Sequence, residues 1–301
     1  QQNQALLNRS GILFILLILD PNEPYIDEYK LQDAVDDGAT LQILYEGKTA
    51  DTAIYDKHGF DTKFENMFKS RTEEEVKAIR KRYGATGDIL EAEDRIEEIA
   101  NDLVQHYVQK ILPSGFKGQV VCSSKQAAVH YQTYIRKAFK QWVKDELPKP
   151  EDKRDQDLLK QVEFIDAMVI ISSDGTNEKA SFVVARKEAQ GKNAVENFKK
   201  KFDFEKPDTG IALLIVCDML LTGFDAPIEQ VMYIDKKLKE HNLLQTIARV
   251  NRTYPGKTVG YVVDYIGLTE NLQSALSLYS GKDRQDILDT FKSVESEMPV
   301  L

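Results

Sequence analysis

Gln245, Arg249 and Arg252 lie four and three residues apart in the segment LLQTIARVNR. On a helix those spacings put three side chains near one face. Two guanidiniums and an amide presented together suit a polyphosphate on a facing surface, because guanidinium forks match phosphate oxygens. Upstream, the apolar run Ile211 to Val216 leads into the polar turn Thr222-Gly223-Phe224-Asp225, and a second apolar run, Val231 to Ile234, follows. Gly223 permits a close backbone approach that a Cβ would obstruct. Thr222 can donate its hydroxyl to a nucleic-acid phosphate, a contact that positions without reading sequence. Asp225 is expected to hold the turn and orient the arginine helix rather than to bind metal. Each feature alone has an ordinary reading, a salt-bridged surface helix or a strand-to-loop turn. The pairing of turn and helix points to phosphate.

Ser123, Ser124 and Lys125 form a second candidate, where a strand ends and a helix opens. Backbone N–H groups and hydroxyls at such a junction can hold a phosphate, and a simple helix N-cap by either serine is the alternative. Other chemistry finds little support. Gly47-Lys48-Thr49 and Gly256-Lys257-Thr258 resemble the end of a phosphate-cradling loop, but the first glycine that loop requires falls at Gln42 and Asn251. His58, His106, His130 and His241 are scattered, and a surface or capping role is expected for each. No metal-ligand set, Asp-Glu-x-His magnesium motif or Asp…Glu-x-Lys nuclease core is present.

The elements that must position these residues follow from hydrophobic periodicity. Ile12 to Leu19 reads as a buried strand, Leu31 to Asp37 as a short helix closed by Gly38, and Leu41 to Tyr45 as a strand. Thr72-x-x-Glu75 is a capping box opening a charged helix. A longer helix from about Asp88 to Ile111 carries Ile96, Ile99, Ala100, Leu103, Val104, Tyr107, Val108 and Ile111 at the 3.6-residue period. From Gly118 onward short strands alternate with helices: Gln119–Cys122, helix Lys125–Val143, an exposed linker Leu147–Asp157, Phe164–Ile171, helix Asn193–Lys201, Ile211–Val216, Val231–Ile234, helix Leu243–Arg249 and Val259–Val263. Leu268 to Leu288 reads as helix. Such alternation is what parallel βαβ sheets produce.

The chain has 301 residues, 42% of them hydrophobic and 30% charged, which suits a globular protein with room for two domains. Cys122 and Cys217, the only cysteines, each sit in an apolar run, as expected of buried thiols in a reducing compartment. The longest apolar run, Ile12 to Leu19, is short of the ~18 residues of a membrane span, and it has no basic leader. A cytoplasmic protein without membrane contact is expected. A net charge of −9 argues against a general nucleic-acid coat but leaves room for a narrow phosphate track. The candidate basic patches are Lys199–Lys201, Lys236-Lys237-x-Lys239 and the Arg249–Lys257 region.

Thr-Gly-Phe-Asp followed by Gln-x-x-x-Arg-x-x-Arg resembles motifs V and VI of superfamily-two helicases and translocases. The fuller wording LLTGFDAP…LLQTIARVNR…GYVVDYIGL is most similar to the motor (R) subunit of type I restriction enzymes. Tyr29 to Glu46 resembles the stretch after the first motor lobe, and Lys117 to Ile135 resembles motif IV. The resemblance runs from about Asp20 to Leu276. It implies an α/β fold, a RecA-like parallel sheet flanked by helices, with a helical connector before it. It divides the chain into 1–46, the end of the first lobe and crossover; 47–115, a helical connector or insertion; 116–268, the second lobe; and 269–301, the start of a further helical region.

The resemblance further implies ATP and Mg2+, both held mainly by a first motor lobe of the same polypeptide. Arg249 and Arg252 would be catalytic, with Gly223, Asp225 and Gln245 at the ATP. Thr222, Ser123, Ser124 and Lys125 would contact double-stranded DNA, and no residue would bind metal. Methyltransferase and specificity subunits would be the partners, and the chain alone would not hydrolyse ATP. Ala248 stands where motif VI usually has glycine, which weakens another superfamily-two enzyme, an RNA helicase or a repair translocase, as the alternative. The other alternative is a non-catalytic α/β module whose arginine helix contacts a protein. A free-standing nucleotide enzyme is disfavoured because the phosphate-cradling loop is missing.

Overall fold

The computed structural model describes residues 34–35, 37–48, 90–238, 245–267 and 291–293. The expected strand at Ile12–Leu19, the capping box at Thr72 and the helix at Leu268–Leu288 lie outside them. Seven strands form one sheet, β1 (Gln42–Gly47), β2 (Lys117–Cys122), β3 (Asp166–Ile170), β4 (Ile211–Val216), β5 (Glu229–Asp235), β6 (Val259–Asp264) and β7 (Phe291–Ser293), in the order β3-β4-β2-β5-β6-β1-β7. Every pairing is parallel. Among the described residues the α-helices are α1 (Glu93–His106), α2 (Lys125–Glu146), α3 (Gln156–Phe164), α4 (Ala180–Gly191) and α5 (Ala194–Phe198).

Strands β2, β4 and β5 are buried along their whole length; β4 reads as an uninterrupted apolar run, whereas β2 and β5 also bury Lys117, Gln119, Glu229, Gln230 and Asp235. Alternation sends neighbouring side chains to opposite faces. Val120, Val169, Leu213, Ile215, Val231 and Tyr233 join one core cluster with α1 and α2. Val121, Met168, Leu214, Val216, Met232, Ile234 and Val262 join the other, with Phe198 of α5, Leu221, Phe224, Ile247 and Val250. The candidate turn and arginine segment therefore roof the second face.

Strand β1 pairs with β6 residue for residue from Gln42↔Val259 to Gly47↔Asp264. Ile96, Ala100, Leu103 and Val104 of α1 lie in the same core as α2 and the sheet. An amphipathic helix buries its stripe on the nearest apolar surface, and here that surface is α2. The 147–157 segment is shorter than the linker expected, because Asp155 caps Leu158 N at 2.9 Å and opens α3.

Candidate functional site

The expected single face for Gln245, Arg249 and Arg252 gives way to a different arrangement. Helical geometry is described at 245–247 and then tightens into a turn, where Arg249 N bonds Thr246 O at 3.3 Å and Val250 N bonds Ile247 O at 3.2 Å. These i→i+3 bonds rotate successive side chains away from α-helical positions. Gln245 is exposed, Arg249 is buried at 8% exposure and Arg252 is half-buried. The apolar neighbours Ile247 and Val250 anchor the segment to the sheet. Gly260 of β6 makes the close approach possible, since a Cβ there would lie 2.3 Å from the Val250 carbonyl oxygen.

Turn 221–225 is built against this segment. Leu220 and Gly223 both take left-handed backbone, at φ 64° and 72°. Gly223 adopts it freely, whereas Leu220 bears strain. The Leu221 and Phe224 side chains are buried, leaving Thr222, Gly223 and Asp225 exposed between them. Arg249 donates from Nε to the Leu221 carbonyl at 3.1 Å and from Nη1 to the Phe224 carbonyl. Arg252 donates from Nη1 to Asp225 Oδ1. Asp225 orients the second arginine, and burial pulls both guanidiniums below their usual value.

Two residues outside the sequence expectations join the cluster. Lys257 is buried, and its Nζ donates to the Pro227 carbonyl at 3.2 Å and the Glu229 carbonyl at 2.5 Å. Burial lowers its ammonium to about 8. The Glu229 carboxyl, 1% exposed, is pushed up to about 8 by burial, against the pull of Lys257 and Arg249. An acidic residue opening an apolar strand was the available signal for Glu229. No spacing rule marks Lys257, which reads from sequence only as the lysine of an incomplete phosphate loop and the end of a basic patch.

Lys199 lies 5.6 Å from the Phe224 ring centroid and Lys201 5.8 Å from that of Tyr254. Two of the basic patches thus meet around the turn. Lys236 instead pairs with Asp218 at 2.5 Å.

Ser123, Ser124 and Lys125 sit elsewhere, beyond the C-terminal end of β2. Ser124 Oγ accepts from Ala127 N at 3.1 Å, so it is the cap of α2. Lys125 donates to the Ser172 carbonyl at 2.9 Å and to Asp174. Gly118, Val231 and Tyr261 are level across β2, β5 and β6. Ser123 therefore stands about six residues, on the order of 20 Å, further along the strands than Gly260 beneath Val250. The turn and arginine segment come together, while the serine junction touches only the start of the same loop, where Cys217 Sγ lies 3.6 Å from the Ser123 carbonyl.

His106 corrects the surface or capping role expected of it. It is buried with Nδ1 2.8 Å from the Tyr233 hydroxyl and Nε2 3.6 Å from Glu46, and burial lowers its imidazole to about 4. His130 is half-buried beside Gln126, while His58 and His241 lie outside the described residues. Cys122 and Cys217 are buried free thiols, as expected. Among the described residues no group of three or more His, Cys, Asp or Glu could hold a metal, and no helix is long and apolar enough to cross a membrane.

An all-parallel sheet flanked by helices, with a Gly turn and arginines roofing one face, defines an α/β lobe of RecA-like type. The family model for domain 3 of the type I restriction enzyme subunit R matches residues 114–267, and the chain belongs to that family. A SWI2/SNF2 ATPase model matches residues 20–77. The chain is 30% identical over 282 residues to the type I restriction enzyme HindI endonuclease subunit of Haemophilus influenzae, covering 91% of this chain and 24% of that one. It is 41% identical over 80 residues to the SsaAORF53P endonuclease subunit of Staphylococcus saprophyticus, covering 26% of this chain and 9% of that one. A solved fragment titled as an HsdR subunit of a type I restriction enzyme from Vibrio vulnificus YJ016 superposes with a TM-score of 0.47 at 14% identity, over 83% of this chain and 37% of that one. The chain thus spans about a quarter of the length of the HindI subunit.

Proposed function

We propose that this lobe is the second half of an ATP-dependent motor that moves along double-stranded DNA within a type I restriction enzyme. Membership of the R-subunit family and the likeness of residues 20–77 to SWI2/SNF2 ATPases support that reading. The observation that carries it is the joining of Arg252 and Asp225 on an exposed turn beside the buried Arg249. A first lobe of the same polypeptide would close over ATP and meet this surface.

The residues present fit a phosphate. Arg252 spends one Nη on Asp225, which leaves guanidinium N–H groups for an anion. Bound there, ATP supplies the phosphoryl group whose developing charge the guanidinium stabilises. Mg2+ would enter with ATP and be held mainly by the first lobe. Gln245 and Gly223, both exposed, would meet the ATP, and the exposed Thr222 would offer its hydroxyl to the DNA backbone. Arg249, with Nε and Nη1 on backbone carbonyls, holds the turn. Ser123 and Lys125 would extend the DNA track at the far strand ends, with Ser124 shaping the helix start. By this reading the described residues of 42–267 act as one lobe, and the 301-residue chain does not turn over ATP by itself. Methyltransferase and specificity subunits would complete the cytoplasmic complex.

The test is DNA-stimulated ATP turnover by the full-length protein that carries this chain. Arg252→Ala is expected to lower turnover about a hundredfold with folding intact. Unchanged turnover would leave a binding module whose arginines contact protein.

A further inference from the structure

Both ends of the turn are tied down by cations from the segment that follows. Arg249 takes the carbonyls of Leu221 and Phe224, Arg252 takes the Asp225 carboxylate, and Lys257 takes the carbonyls of Pro227 and Glu229. The two outer cations are buried, whereas the pair between them is open to solvent on the Asp225 side. Buried cations rarely persist without a partner, since losing solvation costs more than one hydrogen bond returns. Lys257 meets that cost with two backbone carbonyls. A lysine retained there at the foot of the loop has a consequence for Asp225 and Arg252. Pro227 and Glu229 are where the loop enters β5, so their carbonyls set the direction in which it leaves the sheet.

We propose that Lys257 is a positioning residue of the phosphate-facing turn: seated on the Pro227 and Glu229 carbonyls, it fixes the β5 end of the loop and so holds Asp225 and Arg252 in register with the arriving phosphate. The inference rests on the motor reading and adds a residue to it. Lys257 itself does not touch the phosphate. It acts through Arg252, and its removal therefore loses only what Arg252 contributes. Lys117, a second buried lysine, shows the purely structural version of the same contact. Its Nζ caps the carbonyls of Asn197 at 3.2 Å and Thr209 at 2.9 Å, joining the end of α5 to the turn before β4.

The experiment is a double-mutant cycle in the full-length protein, reading kcat and KM for ATP with saturating DNA. Lys257→Met is expected to lower kcat by roughly tenfold to a hundredfold with KM changed by less than about twofold, as misplacement of a reacting group does. In the Arg252→Ala background the same change is expected to lower kcat no further, because the group it positions is gone. Losses that multiply across the cycle, or a kcat unaffected by Lys257→Met, overturn the inference while leaving the motor reading intact. If Arg252→Ala by itself leaves turnover unchanged, the motor reading fails first and the inference falls with it. Should Lys257→Met not fold, Lys257→Gln, which is shorter, uncharged and keeps an amide NH2 to donate to the carbonyls, replaces it and is judged by the same coupling.

Discussion

Arg249 donates from Nη1 to the carbonyl of Phe224, making a guanidinium part of the framework under an exposed turn. Three residues later Arg252 turns outward to Asp225. The two arginines of one segment thus have different partners, one backbone and one a carboxylate.

Truncation separates the arginines by stability. Arg249→Ala leaves the Leu221 and Phe224 carbonyls without their donor and is expected to cost about 2 kcal/mol. Arg252→Ala removes a pair whose carboxylate is half exposed and is expected to cost less than about 1 kcal/mol. Urea denaturation of the 301-residue chain, followed by the fluorescence of its single tryptophan, Trp142, reads both. Equal midpoints for the two variants would contradict the division.

Gly260 governs how closely the arginine segment lies on the sheet. Its replacement by alanine would put a Cβ 2.3 Å from a backbone oxygen, which no rotamer change relieves. Gly260→Ala is expected to lose about 1–3 kcal/mol by overpacking and, if the proposed motor reading holds, to lower ATP turnover of the full-length protein by displacing Val250 and its neighbour Arg249. Wild-type stability would show that the segment shifts at no cost.

His106 couples stability to pH. Its folded value of about 4 lies below the ordinary 6.5, through burial among Tyr233, Glu46, Lys48, Lys110 and Asp102. Between those values the unfolded chain binds the proton and the folded one does not, so stability falls as pH drops from 6.5 to 4. The contribution is on the order of 3 kcal/mol. His106→Gln lacks it, and the gap between wild type and variant is expected to shift in the variant's favour on acidification. A gap independent of pH would mean the imidazole is charged or exposed.

Glu229 works in the opposite sense over a higher window. With a folded value of about 8 against 4.5, the buried carboxyl keeps a proton that the unfolded chain releases, so stability declines as pH rises from 4.5 to 8. Glu229→Gln, neutral throughout, is expected to gain on wild type over that range. Denaturation midpoints at pH 5 and pH 8 decide it, and parallel midpoints would place a charged carboxylate at the site.

Much of the fold was legible because it is written in local patterns. Ile211–Val216 is a strand with the same ends in sequence and structure, since a fully buried parallel strand needs an unbroken apolar run. The 22-residue helix α2 announces itself by period and by the serine cap at its start. Helices α3 and α4 were missed. In α4 the buried residues Phe182, Ala185 and Ala189 are few and mostly small, so the periodic signal is faint. The candidate turn was found by its residue types, and the pairing of Asp225 with Arg252 was anticipated in kind.

The sequence by itself determined which strands must lie in the core and which turn and segment carry the candidate side chains, because residue chemistry and hydrophobic period are local properties. Only the tertiary structure decided that β1 and α1 belong to the same packed unit, that Arg249 faces inward while Arg252 faces out, and that Lys257 grips the end of the turn. Those outcomes depend on how far apart segments approach one another across the sheet. A hydrogen bond between residues 25 apart, such as that from Arg249 to Phe224, leaves no mark on the spacing of either.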